Sequence, residues 1–205
     1  MAFRGWPIEA VEFYEGLEAD NSKVYWTRHR AVYDRHVKAP MEELLAELAG
    51  EFGEGKLFRP HRDVRFSADK APYKKTNCAA RLGSGYVSFS ADGLSVGSGL
   101  YMPDAPALAR YRAAVDAKKS GAELVAIVDA LREGGYDTMA HDVLKTAPKG
   151  YPKDHPRIEL LRYKGIAMMK TWPVGAWLGT AKAKDRVVTT LRAGGTTARL
   201  AGPQR

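Results

Sequence analysis

Between Cys78 and Met102 the sequence abandons helical spacing. Three short segments follow one another: Cys78 to Leu82, Tyr86 to Ser90 and Leu94 to Met102. The separators are Gly83-Ser84-Gly85 and Ala91-Asp92-Gly93, both hairpin-turn chemistry. Turns this short return the chain antiparallel to itself, so the stretch predicts a β-meander rather than a parallel βαβ core. In the middle segment Val87 and Phe89 share one face, while Tyr86, Ser88 and Ser90 share the other. Gly97 and Gly99 strip one face of the third segment, leaving room for a close ligand, a bulge or a packed helix.

Helical patterns flank the meander. Pro7 suits a first helical position, and Ile8, Val11, Tyr14 and Leu17 follow at three-residue spacing. Asp20-Asn21-Ser22 ends that helix and caps a second, in which Tyr25, His29, Val32, Tyr33 and His36 share a face and Trp26 is core or a wedge between helices. Pro40 starts a third, carrying Met41, Leu44, Leu45, Leu48 and Phe52. Beyond the meander, Asp104 caps one helix and Gly121 opens another, which Gly134-Gly135 stops. Pro156 launches a short helix that ends at Gly165, and 181–191 is a candidate final helix. The expected fold is α+β, a single domain over residues 1–192. Its mainly antiparallel sheet is the 78–102 meander plus short strands near 57–66 and 166–169, covered by helices. Residues 193–205 read as a basic, frayed tail.

Charge is unevenly placed. The chain has a formal net charge of +8, yet residues 56–81 alone hold eight Lys or Arg against two Asp. Residues 145–170 hold seven against two, while residues 1–55 hold six basic and eleven acidic side chains. In the first basic stretch, Asp63 between Arg62 and Arg65 can fix two guanidinium groups while leaving donors for a phosphate or carboxylate. Lys70 and Lys74 gather around the Pro72 loop, and such crowding is relieved by a counter-anion. The alternative is a solvated basic face laced with weak ion pairs. Should the two basic segments meet, Arg62 and Arg65 would face Lys149, Lys153, His155 and Arg157 across a cleft.

The run RDVRFSADKAPYKK (Arg62 to Lys75) resembles the signature of the bacterial and fungal domain-of-unknown-function family numbered two-four-six-one. Further matching pieces are Phe3-Arg4-Gly5-Trp6-Pro7, Asp20-Asn21 with Tyr25-Trp26, Gly93 to Pro103, and Pro148 to Arg162. The resemblance runs from about Phe3 to about Met169 and implies a single α+β domain with no established activity. This chain departs from the family pattern at Lys75 and Cys78, so neither is carried over as a shared functional residue.

Several readings are excluded. His61-Arg62-Asp63 copies a kinase triplet, but Ala68 stands where the metal-binding Asn belongs and no Gly-rich phosphate loop precedes it. Neither Gly83-x-Gly85 nor Gly97-x-Gly99 continues into a dinucleotide fingerprint. A lone Cys78 rules out an intrachain disulfide and a cysteine zinc cage, which fits a reducing, cytoplasmic compartment. No apolar run approaches the roughly 18–20 residues of a membrane helix, and no signal peptide is evident at the N-terminus. His61, Asp63, His141, Asp142, Asp154 and His155 lack diagnostic ligand spacing, so neither a metal nor a cofactor is expected.

The candidate ligand-binding residues are therefore Arg62, Asp63, Arg65, Lys70, Tyr73, Lys74, Lys149 and Arg157. Asp63 and His155 are the candidates for acid–base chemistry, although the sequence leaves open whether any catalysis occurs. Asp154-His155 reads first as a cap on the helix after Pro156, and Cys78 first as a buried, inert thiol. The leading function is a basic pocket for a small phosphorylated or other anionic ligand. A nucleic-acid-binding module comes second, with Phe66, Tyr73 or Tyr86 as stacking platforms, and a partner-binding protein without catalysis third.

Overall fold

Trp6 sets the packing of the N-terminal third. Its ring stacks on Phe89 at 5.2 Å, with Phe3 edge-on at 5.1 Å, in a computed structural model of the chain. Residues 1, 63, 64, 66, 67, 69, 75–77 and 201–205 lie outside the described residues, as do the side chains of 196–200. The fold is α+β: a six-stranded, open antiparallel sheet with helices, in the order β1-β2-β3-β4-β6-β5. The strands are β1 (Gly55–Leu57), β2 (Cys78–Leu82), β3 (Gly85–Ser90), β4 (Gly93–Leu100), β5 (Asp137–Met139) and β6 (Ile166–Pro173). The meander thus forms where the turns demand it. Two compact units divide the chain, Met1–Val96 with Thr171–Thr189 and Gly97–Lys170 with Thr190–Arg205, so the division falls within β4 and β6.

In the first unit α1 (Ile8–Ala19) buries Val11, Phe13, Tyr14 and Leu17. Pro7 stands one residue before it as the cap rather than inside it. Ser22 then caps α2 (Lys23–Val32), its hydroxyl accepting from the Tyr25 amide at 3.0 Å. The sequence predicts a break before Pro40; instead the chain stays helical. A π-helical segment (Tyr33–Lys38) joins α2 directly to α3 (Ala39–Phe52). Proline explains the change of pitch. Pro40 has no N–H to give the His36 carbonyl, and its ring would crowd that carbonyl in an ordinary turn. Widening the turn, so that the Ala39 amide reaches back to the Asp34 carbonyl, removes the conflict without ending the helix. The wider turn also re-phases the faces: Trp26, Tyr33, Val37 and Met41 are buried, while His29 and His36 are only half-buried.

Gly5 closes this unit. Its φ of +98° is left-handed, and a side chain there would run into the Leu178 carbonyl and the Thr180 amide. The Trp6 amide donates to that Leu178 carbonyl at 2.9 Å, pinning the N-terminus to the segment before the last helix.

The second unit packs α4 (Ala105–Asp116), α5 (Lys118–Glu133) and α6 (Ile158–Arg162) around Leu100, Tyr111, Leu124, Leu161, Ile166 and Met168. Asp104 caps α4 by accepting from the Ala107 amide at 2.8 Å. The room expected beside Gly97 and Gly99 is taken by β6: a Cβ on Gly97 would lie 3.2 Å from the Met168 carbonyl, and one on Gly99 would strike the backbone at Ala167. The last helix, α7 (Lys182–Leu200), runs past the expected end at 191, and its Gly194 brings the helix backbone close to Ser98. No described helix is long and apolar enough to cross a membrane.

Candidate functional site

The basic stretch folds back on itself as a short ribbon. Pairing of β1 with β2 continues one step through the Phe58 amide, which donates to the Ala79 carbonyl at 2.8 Å. Beyond it the Lys74 amide donates to the Pro60 carbonyl and the Arg62 amide to the Pro72 carbonyl, both at 2.9 Å. His61 and Tyr73 face each other between these rungs as an isolated antiparallel bridge. The regular strand β1 therefore ends at Leu57, and two rungs at residues 60–62 and 72–74 follow; residues 63, 64 and 66 of the expected 57–66 strand lie outside the described residues. With Pro60 and Pro72 on opposite strands, two positions have no N–H to extend the ladder, which keeps it short.

Asn21 holds the ribbon in place. Its side-chain carbonyl accepts from the Tyr73 amide at 3.0 Å, and its side-chain amide donates to the Tyr73 carbonyl at 3.2 Å. One side chain thus pairs with Tyr73 as a neighbouring strand would. The Tyr73 ring lies flat on Trp26, with centroids 4.3 Å apart and planes 9° from parallel. Both rings are buried, so Tyr73 anchors the ribbon instead of presenting a face to a ligand. His61 leans on the same pair, 5.0 Å from Tyr73 and 6.1 Å from Trp26, and is itself exposed.

The cations differ in setting. Arg65 sits in the turn and is exposed, as is Lys70; Arg62 is half-buried, with its guanidinium 3.5 Å from the Ala71 carbonyl. Lys74 is half-buried, its Nζ 5.3 Å from the centroid of the Phe58 ring. Burial pulls the Lys74 ammonium below its ordinary range, and neighbouring Arg59 pulls it further, against a weaker opposing pull from Cys78. Asp63, the expected orienting or basic carboxylate, lies outside the described residues, as does Phe66.

Cys78 starts β2, buried and hydrogen-bonded to the Tyr33 side chain. Burial pushes its thiol up to about 12, and the lysines that might have activated it pull the other way too weakly to matter. It is a packing residue.

Lys149, Lys153, His155 and Arg157 fall in the second unit, whereas the ribbon belongs to the first. Lys149 and Lys153 are exposed. His155 is buried, and its Nδ1 accepts the Arg157 amide at 3.0 Å. A main-chain N–H can only donate, so the proton of the neutral ring sits on Nε2, which donates to Asp116 Oδ1 at 3.1 Å. His155 therefore makes the local cap, and its carboxylate partner is Asp116, not the adjacent Asp154. Arg157 reaches over the end of α4: Nε donates to the Val115 carbonyl at 2.5 Å and Nη2 to the Asp116 carbonyl at 2.6 Å. Three unlike groups thus close one helix end, where exposed carbonyls favour a cation. A Cβ on Gly121 would strike the Val115 carbonyl and then the Arg157 guanidinium, so no larger residue fits there.

Asn21 and Asp116 escaped the sequence reading as residues that build these two regions. Asn21 had a signal, since it sits in a motif of the resemblance. Asp116 had a fainter one, an acid at a helix C-terminus where the dipole disfavours it. Among the described residues no group of three His, Cys, Asp or Glu side chains is placed to hold a metal ion.

A family model described as conserved hypothetical protein matches residues 9–197. The chain belongs to the DUF2461 family. No curated protein and no solved structure matches it. The DUF2461 span takes in the Asn21 clamp, the whole ribbon and the Asp116–His155–Arg157 cluster, whereas Phe3 to Pro7 lie just before it.

Proposed function

We propose that the ribbon of residues 59–74 binds a small anionic ligand, a phosphorylated compound by preference. The observation that carries the reading is a rigid base under a cationic rim. Asn21, Trp26 and the two rungs fix the ribbon, while Arg65 and Lys70 remain exposed and Lys74 is drawn partly out of water. Cations gathered on one ribbon raise the local concentration of anions and favour a polyvalent one. The buried, reduced Cys78 agrees with a cytoplasmic protein. Stacking on a nucleic-acid base has less support, since the Tyr73 ring is covered by Trp26 and Tyr86 is half-buried.

The test is a thermal-shift screen of the full chain against nucleotides, sugar phosphates and oligonucleotides. A ligand at one hundred times its Kd stabilises the native state by about 2.7 kcal/mol, a readily measured rise in Tm. A small phosphorylated compound should give that rise, and the Arg65→Gln/Lys70→Gln double variant should lose it. A response confined to oligonucleotides, falling steeply with salt, would shift the reading to nucleic acid. No response to any anion would end it.

A further inference from the structure

We propose that the cleft beside Trp177 is a carbohydrate-binding site, taking one neutral pyranose ring against the indole. The reading is separate from the ribbon and rests on none of its residues. The cleft has a volume of about 430 Å³ and is walled by Ala176, Trp177, Thr180, Ala181, Lys182 and Asp185, all in the first unit. That volume falls within the roughly 300–1,000 Å³ usual for small-molecule sites. The wall is mostly apolar, with its few polar groups in and just before the first turn of α7, as such sites require.

The indole is held in place. The Arg186 guanidinium carbon lies 4.1 Å from the Trp177 ring centroid and 4.3 Å from that of Trp172, so one cation ties both rings. A Cβ on Gly175 would come within 3.0 Å of the Trp177 ring, which therefore lies directly on the chain there. The Trp177 carbonyl accepts from the Thr180 amide at 3.1 Å and from the Thr180 hydroxyl at 2.7 Å. The Trp6 amide fastens the same turn at the Leu178 carbonyl. A platform so fixed loses little freedom when a ligand stacks on it. The polar groups then select the ligand. Lys182 and Asp185 stand one turn apart on α7, an ammonium that only donates beside a carboxylate that only accepts. Neighbouring sugar hydroxyls do both, so one ring can satisfy the two together. The weakly positive C–H face of the sugar suits the negative face of an indole. A cationic ligand fits less well, because Arg186 already draws on the Trp177 ring and Lys182 adds a like charge. An anion meets the Asp185 carboxylate in the wall.

Fluorine NMR of the full chain labelled with 5-fluorotryptophan gives the test, since the four tryptophans supply one signal each and single replacements by phenylalanine assign them. The probes are the methyl glycosides of glucose, galactose, mannose and N-acetylglucosamine, with cellobiose and maltose. At least one should move the Trp177 signal saturably, half-way at about 1 mM, and leave the signals of buried Trp6 and Trp26 in place. Asp185→Ala and Lys182→Gln, both at exposed positions, should each weaken that sugar at least about tenfold while the urea midpoint stays close to wild type. Trp177→Ala should abolish binding, but it also releases Arg186, so the two exposed variants decide. No saturable movement with any of these sugars overturns the site, as does a movement that neither exposed variant weakens. A Trp177 signal moved by tetramethylammonium or inorganic phosphate, and by no sugar, overturns it too.

Discussion

Replacing Asn21 by alanine tests whether one side chain secures the whole ribbon. The change removes two hydrogen bonds to Tyr73, of 3.0 and 3.2 Å, each contributing about 1 kcal/mol net. It also leaves the Tyr73 amide, on a residue only 5% exposed, with no acceptor, at a further cost of about 1–3 kcal/mol. The expected loss is thus about 3–5 kcal/mol, larger than a half-buried polar side chain ordinarily contributes. Urea unfolding should show a lower midpoint at unchanged slope, because the surface exposed on unfolding is the same. Asn21→Asp separates the two bonds. It keeps an acceptor for the Tyr73 amide but sets a carboxylate oxygen against the Tyr73 carbonyl, so it should fall between wild type and Asn21→Ala. Amide exchange at Tyr73 should accelerate in the alanine variant far more than in the aspartate one. An Asn21→Ala variant within 0.5 kcal/mol of wild type, with Tyr73 still protected, would refute the clamp.

Three further outcomes follow from the geometry. Gly5→Ala combines a φ of +98° with a methyl group aimed at the Leu178 carbonyl, and should cost about 3 kcal/mol or more in thermal or urea unfolding. Arg157→Lys keeps the charge but loses the fork that reaches both the Val115 and Asp116 carbonyls, and should cost about 1.5–3 kcal/mol by the same measurement. Cys78 holds its proton in the folded state up to about 12, against an ordinary 9.0, so the unfolded state loses that proton first. Wild type compared with Cys78→Ala should therefore show no pH-dependent difference below pH 9, then lose stability by up to about 1.4 kcal/mol per pH unit as pH rises toward 12. A difference that grows below pH 9 would contradict the assignment.

How much of this was legible depends on how local each cause is. The meander was legible because turn chemistry and alternation lie within a few residues of each other. The caps at Ser22 and Asp104 were legible for the same reason. The break expected at Pro40 was the natural inference from a missing N–H, yet the helix solved the problem by changing pitch. That solution depends on burying Tyr33, Val37 and Met41 together, which no local pattern announces. The end expected at 191 failed similarly: Gly194 lowers helix propensity, but it is also what lets α7 lie close over Ser98. An aromatic among cations invites a ligand contact, which is why the sequence points to Tyr73. Trp26, far away in the chain, claims the ring instead. His155 pairs with Asp116, 39 residues away, and no spacing in the sequence announces so distant a partner.

The signature shared with the family can then be divided by what its residues do. Asn21, Trp26, Tyr73 and the two prolines account for the ribbon's position and length through hydrogen bonds, stacking and missing donors. None of those tasks needs a positive charge. Arg65 and Lys70 on the exposed turn and Lys74 at the base contribute nothing to the rungs through their side chains, and Lys74 is held where its own charge is disfavoured. Turn positions accept Asn, Ser or Asp readily, so the backbone there does not require cations, and the proposed anion would give them a use. The same division places the Asp116–His155–Arg157 cluster on the structural side: the hydrogen bonds it makes close α4 and precede α6.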